Sequence, residues 1–417
     1  MFHVFAASWA LLLGMMLLMV GNGVQGTLLG IRGAIEGFTT FQMSIVMSAY
    51  FAGFLLGSRA APELIRRVGH VRVFAALGSL ISAILVLYAA IPDWIAWTVL
   101  RVLIGFAFSG VYVTAESWLN NTASNENRGQ ALSLYMIVQM LGIISAQALI
   151  NFADPAGFML FIIPSVLVSL AFAPILLSIS PAPTFGSTKS MSIRQLYDVS
   201  PLGVVGIFLM GGVFSAMFGM TAVWGTQAGL SVLQISIFTA AIYVGGLVFQ
   251  FPLGWLSDRM DRRKLVIYVA MIGAVAGGVA ALFDLGFVAL IGVALVIGGI
   301  SNPLYSLLVA YTNDYLDHDS MAAASGGLLF VNGMGAIIGP LAIGWLMSIV
   351  GPSGFFYFIA FLTLTLGLYA LWRMTQRPSV PVDQTGPFAA VSPNVSAATV
   401  EAVYSELAEN EDTQRDE

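Results

Sequence analysis

The chain has 417 residues, of which 58% are hydrophobic and only 9% charged, and it contains 44 glycines and no cysteine. Soluble domains carry about 25% charged residues to keep a wet surface, so a soluble enzyme is excluded and lipid is the expected solvent. The net charge of −5 is uneven: residues 376–417 hold eight acids against Arg377 and Arg415, and residues 1–375 balance at +1.

Without cysteine there is no disulfide, thiolate metal site or cysteine nucleophile, and three scattered histidines make no metal cluster. No phosphate-binding G-x-x-x-x-G-K-[ST] loop occurs, which argues against ATP hydrolysis. No cofactor, metal or nucleic-acid partner is expected.

A helix crossing the hydrocarbon core needs about 20 mostly apolar residues. Such stretches run at 6–28, 40–62, 71–91, 94–118, 129–151 and 157–178. The next segment, 180–200, is polar and carries Pro181, Pro183, Lys189, Arg194 and Asp198. Six more apolar stretches follow at 201–226, 233–256, 265–283, 286–311, 322–348 and 353–375. The pattern predicts an all-α membrane protein with twelve transmembrane helices, a six-helix half over 1–179, a linker over 180–200 and a second half over 201–375. Residues 376–417, rich in acids and prolines, read as a disordered solvated tail with a short helix near 396–409 and no assigned chemistry. The first stretch has no basic n-region and is longer than a signal core, so it reads as an uncleaved helix.

Basic residues in short loops stay cytoplasmic. With both termini inside, fourteen of the sixteen basic residues fall in cytoplasmic joints, linker or tail, leaving Arg32 outside and Arg101 within a span. An ungapped offset of 193 residues pairs Gly26 with Gly219, Tyr50 with Tyr243, Gly53 with Gly246, Arg66 with Arg259, Gly105 with Gly298, Tyr112 with Tyr305, Gly142 with Gly335, and polar Gln139 with polar Asn332. Six spans separate equivalent positions, so the predicted repeats are parallel, an arrangement in which transporter halves rock about a central site.

The run Gly254-Trp-Leu-Ser-Asp-Arg-Met-Asp-Arg-Arg-Lys264 resembles the G-x-L-[AS]-D-R-x-[GD]-R-[RK] loop of the major facilitator superfamily. Its first-half counterpart, Ala61-Pro-Glu-Leu-Ile-Arg-Arg-Val-Gly-His70, keeps Arg66 and Gly69 but has Ile65 where the acid is expected. Arg101-Val-Leu-Ile-Gly105 is similar to the fourth-helix R-x-x-x-G element. Two further stretches, Gly110-Val-Tyr-Val-Thr-Ala-Glu-Ser-Trp118 and Asn127-Arg-Gly-Gln-Ala-Leu132, look like the YcaD-type bacterial inner-membrane permeases. The resemblance covers about 1–375. It implies the twelve-helix fold of that superfamily, a multi-pass inner-membrane location, monomeric action, and a gating role for Arg66, Gly69, Gly254, Asp258, Arg259, Arg262 and Arg263. The bland alternative for these bases is a topology anchor.

Ionisable residues inside a membrane are functional candidates by default. Arg101 and Glu116 lie 15 residues apart on the fourth span, roughly 22 Å, too far to pair. Arg101, Phe108 and Tyr112 share a stripe. Arg101 can bind an anionic group or a carbonyl. Buried, Glu116 is a candidate for proton coupling, the alternative being a hydrogen-bonded helix-end carboxylate. Polar and aromatic candidates for a substrate cavity are Asn22, Gln25, Gln139, Gln147, Trp224, Tyr243, Gln250, Asn302, Tyr305 and Asn332, with Gln139 and Asn332 the best pair. Singly, each is also a plausible interhelical hydrogen bond.

The reading is a secondary active transporter of a small organic solute working by alternating access, with protons as a candidate coupling ion. The alternatives are a multidrug or metabolite exporter and, less favoured, a non-transporting membrane sensor. The fifth span lacks the Gly-Pro motif of the superfamily's antiporters, and the comparable Gly339-Pro340 sits on the eleventh.

Overall fold

The computed structural model describes residues 2–122, 128–176 and 190–391, apart from 379, 382–384 and 387. Residues 180–189 of the expected linker and the expected helix near 396–409 lie outside the described residues. Among those described, the regular elements are helices: α1 (Phe2–Ile35), α2 (Thr40–Val68), α3 (His70–Ala90), α4 (Trp94–Thr122), α5 (Arg128–Leu149), α6 (Met159–Leu176) and the short α7 (Ile193–Val199). There follow α8 (Pro201–Ser215), α9 (Thr221–Gln227), α10 (Val232–Ser257), α11 (Arg262–Leu282), α12 (Phe287–Asn313), α13 (His318–Val350) and α14 (Gly354–Met374). A π turn, Ala216–Met220, joins α8 to α9 in one continuous span.

The joints follow from local chemistry. Thr39 Oγ1 accepts the Gln42 N–H at 3.2 Å while Gln42 Oε1 accepts the Thr39 N–H at 2.8 Å. Ser192 and Ser231 start α7 and α10 with the same reciprocal box. Gly69, with φ +86°, turns α2 into α3 with no connecting residue beyond itself, a backbone that favours glycine.

Among the described residues, eleven helical spans are long and apolar enough to cross a membrane. The twelfth expected span is the exception: α6 carries Pro164 and Pro174, and its apolar part, Met159–Pro174, is shorter than the rest.

Packing among the helices before residue 200 matches packing among those after it. α2 lies on α4 as α10 lies on α12, α1 on α5 and α6 as α8 on α13 and α14, and α3 on α4 and α6 as α11 on α12 and α14. The tightest crossings rest on glycine: a Cβ on Gly53 would strike the Val102 carbonyl and one on Gly105 the Tyr50 carbonyl. Gly245 and Gly298 stand in the same relation to Leu295 and Ile242. Small residues let backbones approach this closely in lipid.

These contacts correct the single offset of 193. α2 and α10, like α3 and α11, begin 192 residues apart, whereas α4 and α12 begin 193 apart. The extra residue sits in the α11–α12 joint, four residues against three between α3 and α4. The packing counterpart of Tyr50 is therefore Ile242 rather than Tyr243, that of Gly53 is Gly245 rather than Gly246, and Arg259 answers to Arg67 rather than Arg66.

The described part of the linker folds back, with Leu196 of α7 buried against Gly327 and the Met191 N–H donating to the Ala323 carbonyl at 2.7 Å. The solvated-tail expectation also fails in part, because Ala389 and Val391 are 4% and 3% exposed. Backbone groups there find partners on α10 and α12, so a polar composition does not leave this stretch in water.

Candidate functional site

A cavity of about 80 Å³ lies between the halves, lined on one side by α1, α2, α4 and α5 and on the other by α9, α10 and the π turn. That is well below the ~300 Å³ of a typical small-molecule site, so it holds a few waters as it stands. Arg101, 2% exposed, is part of its lining. Nη1 donates to Gln25 Oε1 at 2.6 Å, Nη2 to the Met47 sulfur at 3.2 Å, and the guanidinium carbon stands 4.8 Å from the centre of the Tyr50 ring. Nε has no partner, and among the described residues no carboxylate lies within ion-pair distance of Arg101.

Gln25 is held in turn. Its Nε2 donates to Asn22 Oδ1 at 3.0 Å, Asn22 Nδ2 donates to the Tyr112 hydroxyl at 3.3 Å, and the Tyr50 hydroxyl reaches Asn22 Oδ1 at 3.5 Å. Thr27 Oγ1 donates to Gln147 Oε1 at 3.1 Å, adding a second polar patch on the same wall. The opposite wall is greasier: Met217, Phe218, Thr221, Ala222, Thr239 and Tyr243, with the Phe218 and Tyr243 rings stacked at 5.2 Å. One wall therefore offers charge and amides, and the other a flat aromatic face.

A second cavity, about 30 Å³, lies between α2, α8, α13 and the π turn and includes Phe54, Phe214 and Asn332. Tyr50, Phe51 and Phe218 line both spaces and so form the partition between them. Beyond the larger cavity the helix ends touch: Gly30 packs on Ala222, Ser44 on Gly344, and Ser48 Oγ donates to the Ile337 carbonyl at 2.5 Å.

Of the residues expected at a cavity, Asn22, Gln25, Arg101, Gln147 and Tyr243 line the larger one, and Tyr112 supports it through Asn22. Phe108 is buried beside Tyr112 and lines neither. Trp224 instead packs among Phe238, Phe355 and Phe356. Asn302 faces Gly246, and Tyr305 packs edge-on to Phe214. Asn332 lines the smaller cavity and Gln139 lines neither, so the structure does not bring that pair together. Sequence reasoning missed Tyr50, Phe51, Thr27, Phe218 and Thr221 as cavity-lining residues. The stacking of Tyr50 beside a buried arginine has no signature in spacing.

Glu116 is fully buried on α4, with the Tyr135 hydroxyl 3.4 Å from Oε1, and it stands apart from the cavity lining. The motif loop makes a compact set of charges. Arg262, 3% exposed, donates to Asp314 Oδ1 at 2.5 Å, to Ser257 Oγ at 3.1 Å and to the Ala310 carbonyl at 3.4 Å, and lies 3.6 Å from Asp258. Burial pushes the Asp314 carboxyl above its usual range, against the pull of Arg262. For Asp261, burial acts upward too, but hydrogen bonds from the Arg263 guanidinium and backbone outweigh it and the carboxyl sits low. Arg259 lies over the Trp255 ring at 4.2 Å. In the first half, Glu63 takes both Arg66 and Arg67, at 2.8 and 2.5 Å. The 192-residue spacing also corrects the expectation at Ile65: the position opposite Asp258 is Arg66, so a base stands where the second motif has its acid. His70, the counterpart of Arg262, reaches Ser117 of α4 at 2.9 Å as Arg262 reaches Ala310 of α12.

A family model of the Major Facilitator Superfamily matches residues 11–242 and 223–406. The chain belongs to this superfamily. As a superfamily transporter it is 28% identical over 380 residues to the uncharacterized MFS-type transporter YcaD of Escherichia fergusonii, covering 89% of this chain and 97% of the relative. It is 26% identical over 391 residues to the MFS-type transporter YE1530 of Yersinia enterocolitica, covering 91% and 97%. Solved transporters share the fold at lower identity. The nucleoside transporter NupG superposes with TM-score 0.71 at 14% identity, over 89% of this chain and 99% of that one. An inward-facing, unoccupied bacterial homolog of the lysosomal transporter Spinster superposes with TM-score 0.69 at 14% identity, over 98% of each. The protein is accordingly a multi-pass membrane transporter, its relatives named as transporters rather than enzymes.

Proposed function

We propose that this transporter moves a small organic solute across the bacterial inner membrane by alternating access of two six-helix halves, with twelve spans and both termini in the cytoplasm. The matched packing of the two halves supports a parallel repeat, α6 supplies the twelfth span, and the segregation of basic residues supports the orientation. The bacterial relatives support the inner membrane. The observation that carries the reading is Arg101, a permanently charged group turned into the cavity with an unused N–H and no carboxylate partner among the described residues. A buried charge is stable when something compensates it, and an anionic or carbonyl group of the solute would do so. The stacked Phe218 and Tyr243 opposite it suit an apolar or planar body.

The test is a thermal-shift screen of the purified protein against metabolites and drugs, repeated with Arg101→Ala. A ligand that binds the folded state raises apparent stability by mass action without knowledge of direction or driving ion. A polar or anionic hit weakened about tenfold to a hundredfold by Arg101→Ala matches the loss of a hydrogen bond to a charged group. Lipophilic hits indifferent to Arg101 would replace this reading with a multidrug exporter.

A further inference from the structure

We infer that residues 385–386 and 388–391 are part of a plug: a piece of the chain's own tail that binds the cytoplasmic mouth of the second half and closes the route from the cavity to the cytoplasm. The inference rests on the transporter reading and its orientation.

The mouth is built to hold a peptide backbone. Asp314 Oδ1 accepts the Gly386 N–H at 3.3 Å, and Arg262 Nη2 donates to the Gly386 carbonyl. Asp258 Oδ1 accepts the Phe388 N–H at 2.8 Å. Deeper in, Ser306 Oγ accepts the Val391 N–H at 3.0 Å and lies 2.9 Å from the Val391 carbonyl as a donor. Three side chains on α10 and α12 and the first residue of α11 thus satisfy three successive stretches of the tail backbone. Backbone groups buried without partners are costly, so these bonds hold the segment against the mouth, with Ala389 and Val391 buried and Gly386 and Ala390 still exposed.

The side chains fit as well. Phe388 lies where a Cβ on Gly254 would press on its ring, so glycine leaves the space that the ring fills. Ala389 and Val391 are buried. Ser306 and Gln250, which donates to Ser306 Oγ at 3.2 Å, each stand seven residues inside the end of their helix, about 10 Å by helix rise. Along α10, Tyr243, Gly246, Gln250 and Gly254 recur every three or four residues and share one face. Tyr243 lines the cavity and Gly254 carries the tail, roughly 16 Å apart on that face.

The same contacts tie the plug to the motif loop, because Asp258, Arg262 and Asp314 hold each other and the tail together. Opening the cytoplasmic side would then require the tail to leave before the loop can move. The acids of the distal tail keep it soluble once released.

The chain has no cysteine, so single reporters are free of background. Ser306→Cys and Tyr243→Cys are labelled with a membrane-impermeant maleimide in inside-out vesicles, in the full chain and in a chain ended after Pro378, which retains Arg377 on Tyr315. Truncation should speed labelling at both positions by about tenfold or more. Val391→Asp in the full chain, which puts a charge into the buried seat without removing residues, should do the same, and its melting temperature checks folding. If position 306 is unmasked while 243 labels at the same rate, the segment covers helix ends without closing the route and the proposal falls. If neither changes, the segment does not bind the mouth in the membrane and the proposal falls too. Neither result touches the solute screen, so the transporter reading is judged separately.

Discussion

A guanidinium held by one amide oxygen, one sulfur and one aromatic face, with the Tyr88 hydroxyl beside it, keeps its Nε–H for a visitor. Arg101 differs in this from Arg262, whose donors meet a carboxylate, a hydroxyl and two carbonyls. Replacement by lysine separates charge from shape. Arg101→Lys retains a cation but loses the planar fork that meets Gln25 while lying on Tyr50. Solute binding in the thermal-shift assay should fall between wild type and Arg101→Ala, and equal loss in both variants would mean that geometry rather than charge is recognised. Glu116 belongs to a different question, since it is buried beside Tyr135 and outside the cavity lining. Glu116→Gln should leave ligand-induced stabilisation intact and remove the effect of a proton gradient on uptake into vesicles. Retained gradient dependence would exclude it as the proton carrier.

At the scale of helices, most of the architecture was legible beforehand, because an apolar run of span length in lipid has one regular solution. The positions that escaped prediction depend on partners distant in sequence. α6 carries two prolines and a shorter apolar stretch, and the one-residue difference between the α3–α4 and α11–α12 joints shifts the pairings on α2 and α3 derived from a single offset. Tyr50 was paired with Tyr243 when its packing counterpart is Ile242, and both tyrosines line the same cavity from opposite halves. The glycine crossings carry their own test. Gly105→Ala and Gly298→Ala both push a methyl into a carbonyl of the facing helix and should each cost about 1–3 kcal/mol, read as lowered melting temperatures in detergent. Gly278→Ala has nothing within 4 Å and should be neutral. A large loss at Gly278, or none at the crossings, would contradict the packing.

For the whole molecule, the two halves spend their charges differently. The first keeps its motif bases exposed on Glu63 and sends His70 inward, while the second buries Arg262 and ties it to α12 and to the tail. Asp258→Asn weakens the contact with Arg262 yet leaves an amide oxygen to accept the Phe388 N–H. It should shift the balance of inward- and outward-open states in cysteine accessibility, and unchanged accessibility would show that the loop anchors topology alone. This asymmetry was only partly legible: the complete motif in the second half stood out, but nothing in composition marked 385–391 as different from the acidic residues after it. Their attachment depends on backbone groups, which every residue possesses, meeting side chains some 70 to 130 positions away.

The π turn at Ala216–Met220 adds a dimension of adjustment to the aromatic wall. Such a turn is one residue of slack wound into a helix, and slack can travel. Sliding it by a turn toward either end would swivel the intervening side chains by about 100° while the flanking segments stay seated, since each residue accounts for that angle. Met217, Phe218 and Thr221 could then be presented to the cavity or withdrawn from it like the tumblers of a lock, with no rigid-body movement of a half. Deleting Gly219 would wind the slack out. The deletion variant should keep its fold and lose the second setting of the wall, read as a single fixed labelling rate at Thr221→Cys with and without a stabilising solute.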